Sequence, residues 1–302
     1  MEIRVAQTAG YCFGVRRAMD LAKKTAEHTP GPIYTLGPLI HNEQAVAQLA
    51  RRGIQVAEDL SRLKQGTVII RTHGLPPEQL AQAKGQGLHV VDATCPFVGR
   101  AQKRAAELAA AGYQVLIVGD PNHPEVEGVS GATGYRALVV SSPDEVRRHR
   151  LSKKVGVVAQ TTQILSVFQE CVAAVLEQAL EVVVHQTICS ATRERQDEAQ
   201  EMAREFPLML VVGGRNSANT NKLAEICSRE GARAFLVEGA ADLNPVWFDG
   251  VEKVGITAGA STPDWVIEDV IRRIREMLPD ARVTACDQRP AGVQTASGTA
   301  EE

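Results

Sequence analysis

Three of the six cysteines in this 302-residue chain share one local setting. Cys12 lies in TAGYCFGVRRAMDLAKK, Cys95 in VDATCPFVGRAQKRAAEL and Cys189 in HQTICSATRERQDEAQEMA. Each cysteine follows a strand-like stretch and precedes a helical pattern rich in Ala, Arg and Glu. The three are 83 and 94 residues apart, about the length of one small α/β unit. The pattern indicates an internal threefold repeat with one thiol at each equivalent position.

Polar residues recur at matching distances after these cysteines. The first set lies 29, 28 and 28 residues downstream and consists of His41, His123 and Ser217. The second set ends a further strand-like run in each unit and consists of His73, Thr161 and Ser261. Ligands of parallel α/β sheets bind beyond the carboxyl ends of the strands. We therefore expect the cysteines and both polar sets to meet at one central site.

The alternation of strands and helices predicts an α/β protein made of three pseudo-repeated small lobes with mainly parallel sheets around that site. The predicted lobes are residues 13–95, residues 96–188, and residues 1–12 together with 189–286. The tail 287–302 has few large apolar groups and is predicted to be disordered. Cys171 and Cys227 lie in helical patterns and are predicted to pack in cores.

Three thiols at one point are typical of a metal centre. Iron–sulfur clusters prefer thiolate ligands, and a complete 4Fe–4S site uses four, so three cysteines would leave one iron open to a substrate oxygen. Zinc also binds three cysteines plus water. Zinc sites usually draw two ligands from a short Cys-x-x-Cys spacing, which this chain lacks. The pattern therefore favours a 4Fe–4S cluster bound by Cys12, Cys95 and Cys189.

The other predicted site residues are histidines, hydroxyls and an amide, which suit a phosphate or diphosphate. They are His41, His73, His123, Ser217, Asn219 and Ser261. Two acids, Glu125 and Glu127, follow His123 in NHPEVEG, and a carboxyl beside a cluster and a diphosphate is a candidate proton donor. In an extended segment both acids would turn the same way, so their spacing does not choose between them.

Composition excludes several classes of protein. The net charge of -3 argues against nucleic acid or an anionic membrane as a partner. No apolar run approaches the ~20 residues that a bilayer requires, and no signal peptide is evident. We therefore expect a cytoplasmic protein with reduced thiols and no disulfide framework. A GxGxxG motif is absent, so electrons for redox chemistry are expected from another protein.

Eight motifs follow one another between about Arg4 and Arg282: GYCFGVRRA, the HN of LIHNE, THG, DATCP, NHPEVEG, QTT, NSANTN and TAGASTPD. Taken together and in this order, they resemble the motifs of the 4-hydroxy-3-methylbut-2-enyl diphosphate reductases, the last enzymes of the methylerythritol phosphate route to isoprenoids. The resemblance implies a cluster held by the three cysteines. It also implies reductive loss of an allylic hydroxyl, giving isopentenyl and dimethylallyl diphosphates, with electrons from a donor such as ferredoxin or flavodoxin.

The same resemblance implies a role for each site residue. The histidines, Ser217, Asn219 and Ser261 would bind the diphosphate. Glu125 rather than Glu127 would supply a proton, and Thr161 would relay it near the substrate hydroxyl. Ala218 departs from the NSSN of some members, which removes one hydroxyl and keeps the backbone amide.

Two alternative functions are weighed against this one. A quinolinate synthase-like enzyme also resembles a three-lobed protein with a three-cysteine cluster, but it would bind carboxylate substrates, and the NHPEVEG and NSANTN motifs favour a diphosphate. A non-catalytic iron–sulfur sensor would normally carry an output module, and the sequence contains no segment of that kind.

Overall fold

In the part of the chain that the structure describes, three parallel sheets carry helices on their faces. The computed structural model describes residues 1–284. The tail 287–302, for which disorder was predicted, lies outside these residues, as does Cys286. Within them every strand pair is parallel, so the predicted α/β fold with mainly parallel sheets is confirmed. A connection between parallel strands must cross a face of the sheet, which is why helices alternate with strands here.

The chain begins with strand β1 (Glu2–Val5), which belongs to the third sheet, and then builds the first. The first sheet has the order β3-β2-β4-β5, with β2 (Ile33–Leu36), β3 (Ile54–Ala57), β4 (Thr67–Ile70) and β5 (His89–Asp92). Its helices are α1 (Phe13–His28), α2 (Glu43–Ala50) and α3 (Pro77–Gly85). Strand β4 is buried on both faces because Ile69 packs in one apolar cluster while Val68 and Ile70 pack in another.

The second sheet repeats this plan. It has the order β7-β6-β8-β9, with β6 (Gln114–Val118), β7 (Leu138–Val140), β8 (Lys154–Ala159) and β9 (Glu181–His185). Its helices are α4 (Pro96–Ala110), α5 (Pro124–Gly131), α6 (Pro143–Arg148) and α7 (Leu165–Leu176). Cys171 lies on the buried face of α7 in an apolar cluster, as its helical pattern predicted.

The third sheet includes both ends of the described chain. It has the order β11-β10-β12-β1-β13, with β10 (Leu208–Val212), β11 (Arg233–Val237), β12 (Lys253–Ala258) and β13 (Arg282–Thr284). Its helices are α8 (Ser190–Glu205), α9 (Ala218–Arg229) and α10 (Asp264–Met277). Cys227 is buried in the core of this sheet, as predicted. The exact lobe boundaries stay a prediction.

No helix in residues 1–284 is long and apolar enough to cross a membrane.

Candidate active site

The three repeated cysteines occupy equivalent positions at the starts of three helices. Cys12, Cys95 and Cys189 each precede the first turn of a helix, namely α1, α4 and α8. Within residues 1–284 none of the three thiols is in a disulfide, and all three line one cavity. A helix N-terminus stabilises negative charge, which suits a position where metal-bound thiolates would lie.

One backbone hydrogen bond recurs at every cysteine and explains the repeat. The N–H groups of the three cysteines donate to carbonyl oxygens in the loop after the adjacent strand. The acceptors are Ala260 for Cys12, Thr72 for Cys95 and Thr161 for Cys189, at 3.1, 3.0 and 3.1 Å. Because these loops also carry the second set of polar residues, each thiol is fixed beside one polar tip.

The three thiols lie close enough together to interact electrostatically. A methyl group built at Gly14, two residues after Cys12, would lie 2.6 Å from the sulfur of Cys95, so only a glycine fits there. Burial, with a smaller contribution from the other two thiols, raises the pKa of Cys95 to about 11. Burial also raises the pKa of Cys189. A metal centre binding here would displace thiol protons.

Three imidazoles form a second cluster in the same cavity. The ring centroids of His41 and His73 are 4.5 Å apart. The ring centroid of His123 lies 5.6 Å from that of His41 and 5.2 Å from that of His73. Burial is the main cause that lowers the pKa of each ring, to about 4 for His123 and well below the usual value for His73. The rings are therefore neutral at pH 7, and each has one N–H donor.

His123 shows how the backbone orients these rings. It caps α5, and its Nδ1 accepts a hydrogen bond of 3.1 Å from the backbone N–H of Glu125. Since Nδ1 is the acceptor, the proton of the neutral ring lies on Nε2. Gly74 adopts a φ of +72° directly after His73, a turn that L side chains rarely adopt.

The third lobe adds hydroxyl and amide groups. Ser217 caps α9 and accepts from the N–H of Thr220, so its hydroxyl proton stays available. Asn219 is buried, and neither polar atom of its side chain has a partner within the described residues. The Ser261 hydroxyl donates to the carbonyl of His41 at 3.1 Å, which links the third lobe to the first. Unpartnered buried polar atoms indicate a polar ligand.

Glu125 and Glu127 have different environments. Glu125 is 2% exposed, whereas the Glu127 side chain is 46% exposed and lies 3.9 Å from the Arg71 guanidinium. The segment is helix α5 rather than an extended chain, so the expectation for an extended segment does not apply and the acids face different ways. The carboxylate of Glu125 accepts from the N–H and hydroxyl of Thr161 at 2.6 and 2.8 Å. Burial nevertheless raises the pKa of Glu125 to about 7.

Sequence reasoning missed two cations near this cavity. Arg71 is mostly buried, its Nε has no partner within the described residues, and its charge lowers the pKa of all three histidines. Lys222 donates to the side-chain oxygen of Gln163 at 2.7 Å and also lowers the pKa of His123. Both cations favour an anion in the cavity. Arg71 could have been noticed because it stands two residues before His73 in the same strand-end motif.

The structure brings all the predicted site residues to the wall of this one cavity, which encloses about 690 Å³ including its open mouth. They are Cys12, His41, His73, Cys95, His123, Glu125, Thr161, Cys189, Ser217, Asn219 and Ser261. Ala218, the departure from the family motif, lines the cavity as well. Convergent polar groups on the wall of one cavity are typical of a small-molecule site.

The fold and the cavity define a class of protein. Three α/β lobes surround one site that combines thiols for a metal centre, neutral imidazole and amide donors for an anion, and a carboxyl with a pKa of about 7. This combination is typical of a metal-dependent enzyme that acts on an anionic substrate.

Comparison with known proteins identifies the family. Residues 3–275 match the family of the LytB protein. A 4-hydroxy-3-methylbut-2-enyl diphosphate reductase from Geobacter metallireducens is 47% identical over 92% of this chain and 98% of its own length. The Geobacter sulfurreducens protein of the same name is 49% identical over 91% and 98%. The chain therefore belongs to the LytB family, a family of iron–sulfur oxidoreductases.

Solved structures agree with this result. One solved structure is that of an (E)-4-hydroxy-3-methyl-but-2-enyl diphosphate reductase, the terminal enzyme of the non-mevalonate pathway. It is 42% identical in sequence to this chain, with a TM-score of 0.67, and the match covers 91% of this chain and 99% of that one. A reductase structure from Plasmodium falciparum is 24% identical with a TM-score of 0.88, over 97% and 94%, and supports the fold.

Proposed function

We propose that this enzyme removes the allylic hydroxyl of 4-hydroxy-3-methylbut-2-enyl diphosphate and gives isopentenyl and dimethylallyl diphosphates. In the balanced reaction, the carbon–oxygen bond breaks, a carbon–hydrogen bond forms and water leaves, with uptake of two electrons and two protons. The observation that carries the proposal is the cavity itself, where thiols, neutral donors and a protonatable carboxyl from three lobes face one space. Relatives with this activity in their names match more than nine-tenths of the chain.

The three thiols fit an iron–sulfur cluster. Within the described residues none of them is in a disulfide, and each stands at the N-terminus of a different helix. Cys171 and Cys227, in contrast, are buried in cores away from the cavity. Cys12, Cys95 and Cys189 would hold a 4Fe–4S cluster with one iron free of protein ligands. When bound, the cluster supplies the electrons for the reduction.

The imidazoles, Ser217 and Asn219 would bind the diphosphate. Neutral imidazoles donate hydrogen bonds without needing a charge in a buried place, and Arg71 adds one fixed positive charge. The Asn219 amide and the Nε2 of His41 are unpartnered within the described residues, and diphosphate oxygens would satisfy their N–H groups.

Glu125 would act as the proton donor. Its carboxyl is held by two hydrogen bonds to Thr161, and its pKa of about 7 keeps a proton on it in a substantial fraction of molecules at neutral pH. The Thr161 hydroxyl contacts the Glu125 carboxyl and both residues line the cavity, so the hydroxyl would pass the proton from Glu125 to the leaving oxygen.

The test is an anaerobic assay of the purified, cluster-loaded protein with the allylic diphosphate and reduced methyl viologen. We expect a mixture of the two five-carbon diphosphates. A protein that holds a full cluster and gives neither product would refute the proposal. Ferredoxin and flavodoxin, assayed in place of methyl viologen, would identify the natural class of donor. The comparisons give no support to a quinolinate synthase or a sensor.

A further inference from the structure

A buried guanidinium lies next to the thiol centre and has no part in the function described so far. Arg195 is on α8, six residues after Cys189, and is 4% exposed. It donates to the carbonyl of Gly10 at 2.7 Å, to that of Ala258 at 3.2 Å, and to that of Thr8. Residues 8 and 10 belong to the loop between β1 and Cys12. Arg195 thus ties the loop that carries one cysteine to the helix that begins after another.

The charge of Arg195 is not neutralised by contact with a carboxylate. Within residues 1–284 it forms no salt bridge, and its Nε has no hydrogen-bond partner. Its electrostatic partners include the side chains of Cys12 and Cys189. A buried cation is costly unless an anion lies near it. The other electrostatic partners of Arg195 are the carboxylates of Glu194 and Glu198, neither of which forms a salt bridge with it in residues 1–284. Thiolates at Cys12 and Cys189 would add negative charge on the side of the metal centre.

We infer that Arg195 is a positioning residue for the iron–sulfur centre. Arg195 fixes the Cys12 loop against α8, and its charge raises the reduction potential of a cluster held by Cys12 and Cys189. The inference rests on the proposed ligand set. A thiolate-bound cluster becomes more negative when it accepts one electron, so a fixed positive charge nearby stabilises the reduced form.

The chain offers a matched control on the same helix and the same loop. Glu198 lies one turn after Arg195, and its carboxylate accepts from the N–H groups of Gln7 and Thr8 at 2.6 and 2.9 Å and from the Thr8 hydroxyl at 2.6 Å. Glu198→Ala therefore removes a tie to this loop while the positive charge of Arg195 stays. It also removes a negative charge, so it cannot lower the reduction potential by the same electrostatic effect.

The experiment measures iron content and the midpoint potential of the reconstituted proteins by an anaerobic redox titration followed by electron paramagnetic resonance. The proteins are the wild type, Arg195→Met, Arg195→Lys and Glu198→Ala. At the wild-type midpoint, we expect the ratio of reduced to oxidised cluster to fall about tenfold in Arg195→Met, which is about 59 mV for one electron. Arg195→Lys keeps the charge and should restore most of the potential, and Glu198→Ala should not lower it.

A full cluster with an unchanged midpoint potential in Arg195→Met would overturn the inference. An equal fall of the midpoint potential in Glu198→Ala would also overturn it, because the effect would then come from the structure of the loop and not from the charge. If Arg195→Met does not fold, Arg195→Gln is compared with Arg195→Lys, and equal potentials in these two would also overturn it. A wild-type protein that binds no cluster would contradict the proposed function instead, so the two failures are distinguishable.

Discussion

Replacement of Glu125 by glutamine tests the proton-donor role with little change in shape. The Glu125 carboxylate is 2% exposed and accepts from the Thr161 N–H at 2.6 Å and from the Thr161 hydroxyl at 2.8 Å. In Glu125→Gln the amide oxygen keeps one of these bonds, and the hydroxyl can turn to accept from the new NH₂ group. The variant should therefore fold, bind its cluster and bind substrate, but it has no acidic proton.

The size of the effect follows from the pKa of about 7 that burial gives this carboxyl. About half of the molecules carry the proton at pH 7 and about one in ten at pH 8. Because the pKa is raised and the acid form is the active one, wild-type turnover should be full well below pH 7 and should fall about tenfold per pH unit above it. Glu125→Gln should lose about 10²–10⁴-fold in kcat at pH 6 and lack this alkaline limb.

The assay is steady-state turnover with reduced methyl viologen from pH 6 to pH 9, with iron content measured on every preparation. Glu127→Gln is the matched control, since Glu127 is two residues away, exposed on the other side of α5, and should leave kcat and the pH profile unchanged. A Glu125→Gln protein with a full cluster, near-normal kcat and the wild-type alkaline limb would refute the assignment.

Three further changes test the centre and its surroundings. Cys95→Ser should lose cluster absorbance and turnover together, and a full cluster with normal turnover would contradict the three-thiol assignment. Gly14→Ala should displace the sulfur of Cys95, which would lie 2.6 Å from the new methyl group, and should therefore lower the iron content. In the control Gly99→Ala in α4, the methyl group meets nothing within 4 Å, so the variant should keep its iron and gain about 0.5–1 kcal/mol of stability in thermal unfolding. Equal iron content in the two variants would contradict the contact between Gly14 and Cys95. Thr161→Val removes a hydrogen bond that lowers the pKa of Glu125, so the alkaline limb of the pH profile should move to higher pH. The variant should also have a lower kcat, because the proposed relay is lost. A shift of the limb to lower pH would argue against the contact.

Much of this centre was predictable because a repeated backbone contact underlies it. Cys12, Cys95 and Cys189 recur at matching places since each donates its N–H to the loop after the neighbouring strand. The hydrophobic runs that form these strands and the cysteines beside them are local signals. Parallel sheets then bring strand ends to one edge, which is a general rule and needs no detail of packing.

The remaining features depend on tertiary packing that no local pattern records. Glu125 and Glu127 differ because helix α5 starts at Pro124 and presents only the first of them to the cavity. Helix α8 has the sequence SATRERQDEAQEMARE, which is typical of a solvated helix, yet Arg195 within it is buried against a loop 185 residues earlier in the chain. The burial of Arg71 arises in the same way, from contacts that its neighbours in sequence do not supply.

One physical cause, burial, connects the chemistry of all these groups. It opposes every charge in the cavity, so it raises the pKa of Cys95 and Glu125 and lowers that of His123. The guanidinium groups of Arg71 and Arg195 keep their charge, because the pKa of arginine stays far above 7 even when burial lowers it. The protein's own groups around the site are thus biased towards positive charge. Thiolates bound to metal and a diphosphate both supply the missing negative charge, while a protonated Glu125 does not repel either of them. The proposed proton donor and the proposed anion-binding groups therefore owe their protonation states to the same desolvation.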